Sequence, residues 1–206
     1  LFDSYTEAFS EAAQNSGEQM LAIQTYGPGG GFWYPSNKRL PFTPYCVDFV
    51  QAFSPDDERK EVTFWPFYDY GNPVDPDTVE VGQEADDKLF CGKYRTDPNF
   101  VDDKPNWPVL RYAEVLLIHA EAENEVNGPT NAAYASINKV RDRAGLDDLS
   151  GLTKEQFRDS IKHERRLELS MELKRWFDLV RWGDLIERRN MIYEQRGEPY
   201  RLQEKH

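Results

Sequence analysis

In the second half of the chain, hydrophobic positions recur every three to four residues. Over 110–126 the apolar set is Tyr112, Ala113, Leu116, Leu117, Ala120, Ala122 and Val126, with Arg111, Glu114, Glu121 and Glu125 on the other side. That spacing predicts an amphipathic helix whose wide apolar face is covered on most sides. Gly128-Pro129 ends it. Thr130 is placed to cap a second helix with the stripe Ala133, Ile137, Val140 and Ala144, stopped by Gly145. The two form a helical hairpin. Thr153-Lys-Glu-Gln156 reads as a capping box. It opens a third helix through Phe157 and Ile161 to about Glu172. A fourth spans about Lys174–Arg188 and carries Trp176, Phe177, Val180 and Leu185, with Trp182-Gly183-Asp184 as a candidate break.

The first half has little periodicity. Ser4–Asn15 predicts a short helix, Gln19–Thr25 a strand, and Pro44–Phe53 a short helix ended by Pro55. Gly27-Pro-Gly-Gly-Gly31 is a breaker cluster. From Val62 to Trp107, prolines and glycines recur too often for long elements. Such loops stay ordered by burying large side chains, and residues 1–112 hold 21 of the 28 aromatics.

Composition sharpens the division. With 25 Lys+Arg against 37 Asp+Glu, the 206-residue chain carries a net charge of −12, of which −10 lies in residues 1–112. An acidic surplus excludes a phosphate backbone or an anionic membrane surface as the partner. No apolar run approaches the length of a membrane-spanning helix. Cys46 and Cys91 form no CxxC pair, and spacing alone leaves their pairing open.

Few motifs survive as chemistry. His163-Glu-Arg-Arg-Leu167 begins like a zinc-protease helix, but the second ligand position is Leu167, and the only other histidines are His119 and His206. The glycine cluster lacks the GK[ST] of a phosphate loop. No pair among the carboxylates is singled out for hydrolysis. Asp75–Asp87 reads as a solvated acidic loop rather than a Ca²⁺ site. No metal or cofactor is expected.

Two patterns remain. Glu164, Glu168 and Glu172 stack at four-residue steps, and Arg165, Arg175, Asp178 and Arg181 continue the charge pattern. We read these seven as an ion-pair lattice pinning the third and fourth helices together, because buried acids persist only when paired. Phe32, Trp33 and Tyr34 follow the glycines directly and cannot all face one core, so they are the foremost candidates for ligand stacking. Trp65, Tyr68, Tyr70 and Trp107 are further candidates.

These stretches also carry a resemblance. Val109-Leu-Arg-Tyr-Ala-Glu-Val-Leu-Leu117, Ile137-Asn-Lys-Val-Arg-Asp-Arg-Ala-Gly-Leu146, the run from Thr153 through Glu164-Arg165-Arg166-Leu-Glu168-Leu, and Arg175-Trp-Phe-Asp-Leu-Val-Arg-Trp-Gly183 resemble the SusD/RagB family in order and spacing. Upstream, Ser16–Gln24 and Phe49–Arg59 are similar to its preceding segments. The resemblance implies a mainly α fold in which TPR-like helical hairpins scaffold a loop-rich, aromatic binding lobe. Residues 1–108 would belong to that lobe and 109–206 to the scaffold. It implies no catalysis. It implies an outer-membrane, cell-surface lipoprotein of Bacteroidetes that binds glycan for uptake through a TonB-dependent transporter of the SusC type, anchored only by an N-terminal lipid outside this chain. The alternatives are a RagB-like peptide binder or a TPR-like protein–protein scaffold.

Two departures from the family pattern matter. Where the family usually has Glu-Gly before the arginine of the fourth helix, this chain has Glu172-Leu173, which suggests a tighter or continuously helical junction. The family's N-terminal helical part and C-terminal tail are also not found. The helix pair 110–144 is therefore expected to expose an apolar face prone to association.

Overall fold

The computed structural model describes residues 1–10, 13–15, 17–24, 47–66, 68–69, 72–73, 89–91, 93 and 106–196. The hairpin and the third helix form as the spacing predicts. Helix α3 spans Tyr112–Asn127 and ends on Gly128, whose φ of 83° suits only glycine. Helix α4 spans Asn131–Arg143 and is capped by Thr130, whose side chain accepts from the Ala133 N–H. Helix α5 spans Lys154–Glu168, and both halves of the Thr153/Gln156 capping box are present.

These helices share an aliphatic core. Leu116, Leu117 and Ala120 of α3 meet Ala133, Ile137 and Val140 of α4 and Phe157 and Ile161 of α5. A second, aromatic core gathers the first half. Helices α1 (Val47–Val50) and α2 (Arg59–Thr63) and the turns around them bring Phe49, Phe53 and Phe64 edge to face at 5.3–5.5 Å. Tyr5, Phe9 and Trp107 join them. Large rings thus replace regular secondary structure as the source of burial here.

The sheets are small. Strand β1 (Gln19–Ile23) pairs antiparallel with β6 (Trp107–Arg111), Gln19 opposite Arg111 and Ile23 opposite Trp107. Strand β2 (Phe64–Pro66) pairs with β5 (Leu89–Cys91), and β3 (Tyr68–Asp69) with β4 (Asn72–Pro73). Helix α6 (Arg175–Trp182) and helix α7 (Leu185–Arg196) are separated by left-handed Gly183, so the break at Trp182-Gly183-Asp184 is real.

Four expectations need correction. Among its described residues Ser4–Asn15 forms a 3-10 turn at Glu7–Phe9, after which Ser10 is extended, rather than a continuous α-helix. Tyr5 and Phe9 leave that turn as a ring pair 5.3 Å apart in the aromatic core. Arg111 is not on the polar face of α3. It ends β6, fully buried, where it meets carboxylates from distant segments. Helix α5 stops at Glu168 rather than Glu172, and the junction to α6 is not helical: Met171 and Leu173 take φ of 59° and 60°. Leu173 thus adopts a left-handed conformation that a glycine would fill at lower cost. Trp107 lies in the aromatic core and is withdrawn from any ligand.

Candidate functional site

The stacked acids of α5 turn inward at the junction of the two cores. Leu167 enters the aromatic core and Leu169 the aliphatic one, and Glu168 lies between them, fully buried. A buried carboxylate needs partners, and it has three. Arg111 donates to it at 2.9 Å, Arg143 at 2.5 Å and Arg59 at 3.3 Å. Its backbone carbonyl accepts from the Tyr5 hydroxyl and the Lys93 ammonium, both at 2.8 Å.

The knot extends outward from there. Glu172 receives Arg111 through two bonds of 2.8 Å and Lys93 at 3.0 Å. Glu18 takes Arg111 and Arg143. Glu164 takes Arg59 at 2.5 Å and Arg141 at 3.1 Å, and Asp57 braces Arg59 at 2.8–2.9 Å. The aromatic rings close one side: Lys93 sits 5.2 Å from the centroids of Tyr5 and Phe9, and Arg143 5.3 Å from Tyr5.

Burial alone would raise the Glu168 carboxyl, but Arg143, Arg111 and Arg59 hold it well below the usual carboxylate range. Glu172 is lowered in the same way, against burial, by Arg111 and Lys93. Burial lowers Lys93 in turn. The arginines thus favour the charged form of both Glu168 and Glu172, whose oxygens are taken up by the cations around them. This is a scaffold, not a reaction centre.

Of the seven lattice residues, Glu164, Glu168 and Glu172 belong to this knot. Their partners come mainly from Glu18-facing arginines, Arg59 and Lys93 rather than from α6. The pinning of α5 to α6 falls to Arg165, which binds Asp178 twice at 2.9 Å, with Arg181 on the same carboxylate at 3.0 Å. Arg175 has no ion pair among the described residues.

Glu18, Asp57, Arg59, Lys93, Arg111 and Arg143 were not identified from the sequence. The one signal for them was the acid stack itself: three carboxylates on one buried face require cations from elsewhere.

Helix α6 is turned the unexpected way. Asp178 is 3% exposed, while Leu173, Trp176, Phe177 and Val180 are 70%, 59%, 68% and 52% exposed. Ile118 and Val126 of α3 are exposed too, but the apolar face expected to be open on the 110–144 pair is otherwise buried in the aliphatic core. Between α3, α5 and α6 lies a groove of about 530 Å³ lined by Glu114, Ile118, Glu121, Phe177 and Arg181. Its charges are mutually satisfied: Lys174 meets Glu114 at 2.9 Å, and Glu121 takes Arg181 and the Trp182 indole N–H. A polar cleft of about 670 Å³ lies between Ser54, Asp56, Arg141, Asp147 and His163. Partial desolvation lowers the His163 imidazole, against Glu164 and with Arg166, Arg59 and Arg141 adding to the effect. No three side chains among the described residues converge as metal ligands.

The aromatic stacking candidates are placed unevenly. Trp65 stands opposite Phe90 on the β2–β5 ladder, and Tyr68 opposite Pro73 on β3–β4. Phe32, Trp33, Tyr34 and Tyr70, the Asp75–Asp87 loop and Cys46 lie outside the described residues.

Comparison with known proteins agrees with this architecture. The chain is 45% identical over 90 residues to SusD-like protein P25 of Formosa agariphila, covering 39% of this chain and 17% of that protein. It is 27% identical to a SusD-like protein of Bacteroides ovatus over 87% of this chain and 37% of the other. Among solved structures, surface glycan-binding protein A from Bacteroides uniformis superposes with a TM-score of 0.67 at 28% identity, covering 89% of this chain and 41% of that one. A SusD homolog from Bacteroides thetaiotaomicron gives 0.70 at 25% identity over 95% and 47%. The chain thus spans less than half the length of these relatives. The family model described as the SusD family matches residues 24–206. With that match over most of its length and the shared mainly helical fold, the chain belongs to the SusD family.

Proposed function

We propose that this chain is part of a non-catalytic glycan-binding protein of the cell surface. The observation that carries the reading is the similarity, in sequence and fold, to surface glycan-binding protein A of Bacteroides uniformis. A structure of the same kind from Bacteroides thetaiotaomicron, with a TM-score of 0.66, is a complex with laminarihexaose. The internal chemistry supports a binding role, since the buried carboxylates Glu18, Glu164, Glu168 and Glu172 are paired with arginines and Lys93 into a scaffold. In this reading the loop-rich residues 1–108 contribute to the binding lobe and 109–206 hold it. The whole protein is lipid-anchored in the outer membrane and delivers its ligand to a SusC-type, TonB-dependent transporter.

Phe32, Trp33, Tyr34, Trp65 and Tyr68 supply the stacking faces. A shallow aromatic site binds in the micromolar to millimolar range, about −8 to −4 kcal/mol. Isothermal titration against laminarihexaose and a panel of other oligosaccharides tests this. Saturable heat with no product after long incubation is the expected result. Turnover, or no binding to any saccharide, would overturn it. Loss of binding in Trp33→Ala assigns the site, whereas unchanged binding removes Trp33 from it.

A further inference from the structure

The polar cleft beside Arg141 is built from segments far apart in the chain. The turns between α1 and α2 supply Ser54 and Asp56, the loop after α4 supplies Asp147, and α5 supplies His163. Its walls are fixed. The Glu58 N–H donates to the Ala144 carbonyl at 3.1 Å and ties the two loops together. Gly145, at φ 72°, lets them close up: a Cβ there would stand 3.2 Å from the Glu58 side chain and 3.4 Å from the Asp56 carbonyl oxygen. Asp57 in the same wall is buried and held by Arg59 at 2.8 Å, and buried Leu167 adds an apolar surface to the lining.

Arg141 is clamped on two sides and open on the third. Its Nε donates to the Asp147 carbonyl at 2.9 Å and its Nη1 to the Glu164 carboxylate at 3.1 Å. Its Nη2 makes no hydrogen bond among the described residues. The side chains of Ser54, Asp56, Asp147 and His163 likewise make no hydrogen bond or ion pair among them. A held guanidinium, two carboxylates, a hydroxyl and an imidazole thus line one cleft of about 670 Å³. That is within the range of small-molecule sites, about 300–1,000 Å³, where a few polar groups converge on a concave surface.

We propose that this cleft binds a neutral saccharide unit through its hydroxyl groups. The inference rests on the glycan-binding reading above and assigns part of that binding to residues other than the loop aromatics. A hydroxyl both donates and accepts. It can therefore give its hydrogen to the Asp56 or Asp147 carboxylate and offer a lone pair to Arg141 Nη2. Hydrogen bonds to such charged partners are the stronger kind. An acidic sugar would bring its own carboxylate against Asp56 and Asp147, and an ammonium group would face Arg141. The hydroxyl is the ligand group that suits both signs of charge in the lining.

The test follows the histidine ring protons by NMR, because the chain has three histidines and His163 lines the cleft. His119, whose Nδ1 lies 2.8 Å from the Ser136 hydroxyl, is the internal control, and His163→Gln identifies the cleft signal. The neutral probes are laminarihexaose, cellohexaose and maltohexaose, and the acidic probe is an oligogalacturonate. Isothermal titration of the same four runs beside them. At least one neutral probe should shift the His163 signal saturably and leave His119 in place, with the oligogalacturonate about tenfold or more weaker. Asp56→Ala and, independently, Asp147→Ala should weaken the neutral probe at His163 by about tenfold. Far-ultraviolet circular dichroism verifies that each variant is folded, and either folded variant suffices. Heat of binding with an unmoved His163 signal overturns the cleft while leaving glycan binding intact. So does a His163 shift that survives both aspartate substitutions. An equal response to the oligogalacturonate overturns the neutral assignment. Neither heat nor shift with any saccharide overturns the glycan-binding reading, and this inference with it.

Discussion

Arg111 and Arg175 carry the same group into opposite circumstances. Arg111 ends a strand, is wholly buried, and bonds to Glu18, Glu168 and Glu172 and to the Glu168 carbonyl. Burial there is offset by several charge-assisted hydrogen bonds in a low-dielectric setting. Arg175 starts a helix, is half-buried, and makes no ion pair among the described residues. The first arrangement fixes one geometry, because each of its carboxylates is shared by cations from different segments. The second has no such anchor among the described residues. The contrast separates charge that holds the fold from charge that the described residues leave without an ion pair.

The strongest way to break the comparison is to remove the hub of the knot. Glu168→Gln leaves Arg59, Arg111 and Arg143 facing a neutral amide, and urea unfolding should show a loss of about 3–5 kcal/mol. The same carboxylate sets the acid response. Its folded pKa, like that of Glu172, lies below the ordinary value of 4.5. The stability it contributes is therefore complete above about 4.5 and is lost as the pH falls toward the folded value. Melting temperature should decline steeply in that acid range, and Glu168→Gln should flatten the decline. A flat wild-type profile down to pH 3 would contradict the charge state assigned to the knot.

The outward face of α6 offers a second test. Leu173, Trp176, Phe177 and Val180 expose apolar area where Asp178 and its arginine partners face inward. Such a patch recruits hydrophobic dye and favours self-association. Sedimentation of the chain should show association, and Phe177→Glu should shift it toward monomer with little change in stability. A clean monomer that binds no dye would show that the face is not adhesive.

A smaller effect is expected at the α5–α6 junction. Leu173 is exposed and sits at φ 60°. Leu173→Gly should therefore raise stability by about 1 kcal/mol in urea unfolding. A loss would mean that its side chain contributes packing the geometry does not suggest.

Much of the helical scaffold was legible because its signals are local. Thr130, Thr153 with Gln156, Gly128 and Gly183 each specify a start or stop within a few residues, and the stripe of Ala133, Ile137 and Val140 is a period-3.6 pattern. The misses are nonlocal. Val109-Leu110-Arg111 runs straight into the α3 pattern, and only pairing with β1, about 90 positions earlier, makes it a strand. Helix α5 ends early because Glu172 is drawn back to Arg111 and Lys93, which lie 61 and 79 positions away. The charge lattice was foreseen as a bond between neighbouring helices. It is chiefly a junction of remote segments, and Arg175 is the member it leaves out. The foremost stacking candidates, Phe32, Trp33 and Tyr34, fall outside the described residues, so their role stands on the sequence and on titration.

The most direct test of the central distinction is urea unfolding of Arg111→Gln beside Arg175→Gln. The account predicts a loss of about 3–5 kcal/mol for Arg111→Gln, which strands buried carboxylates. It predicts unchanged or slightly increased stability for Arg175→Gln, which removes a half-buried charge that has no ion pair among the described residues. A loss for Arg175→Gln as large as that for Arg111→Gln would contradict it, because both guanidinium groups would then be holding the fold.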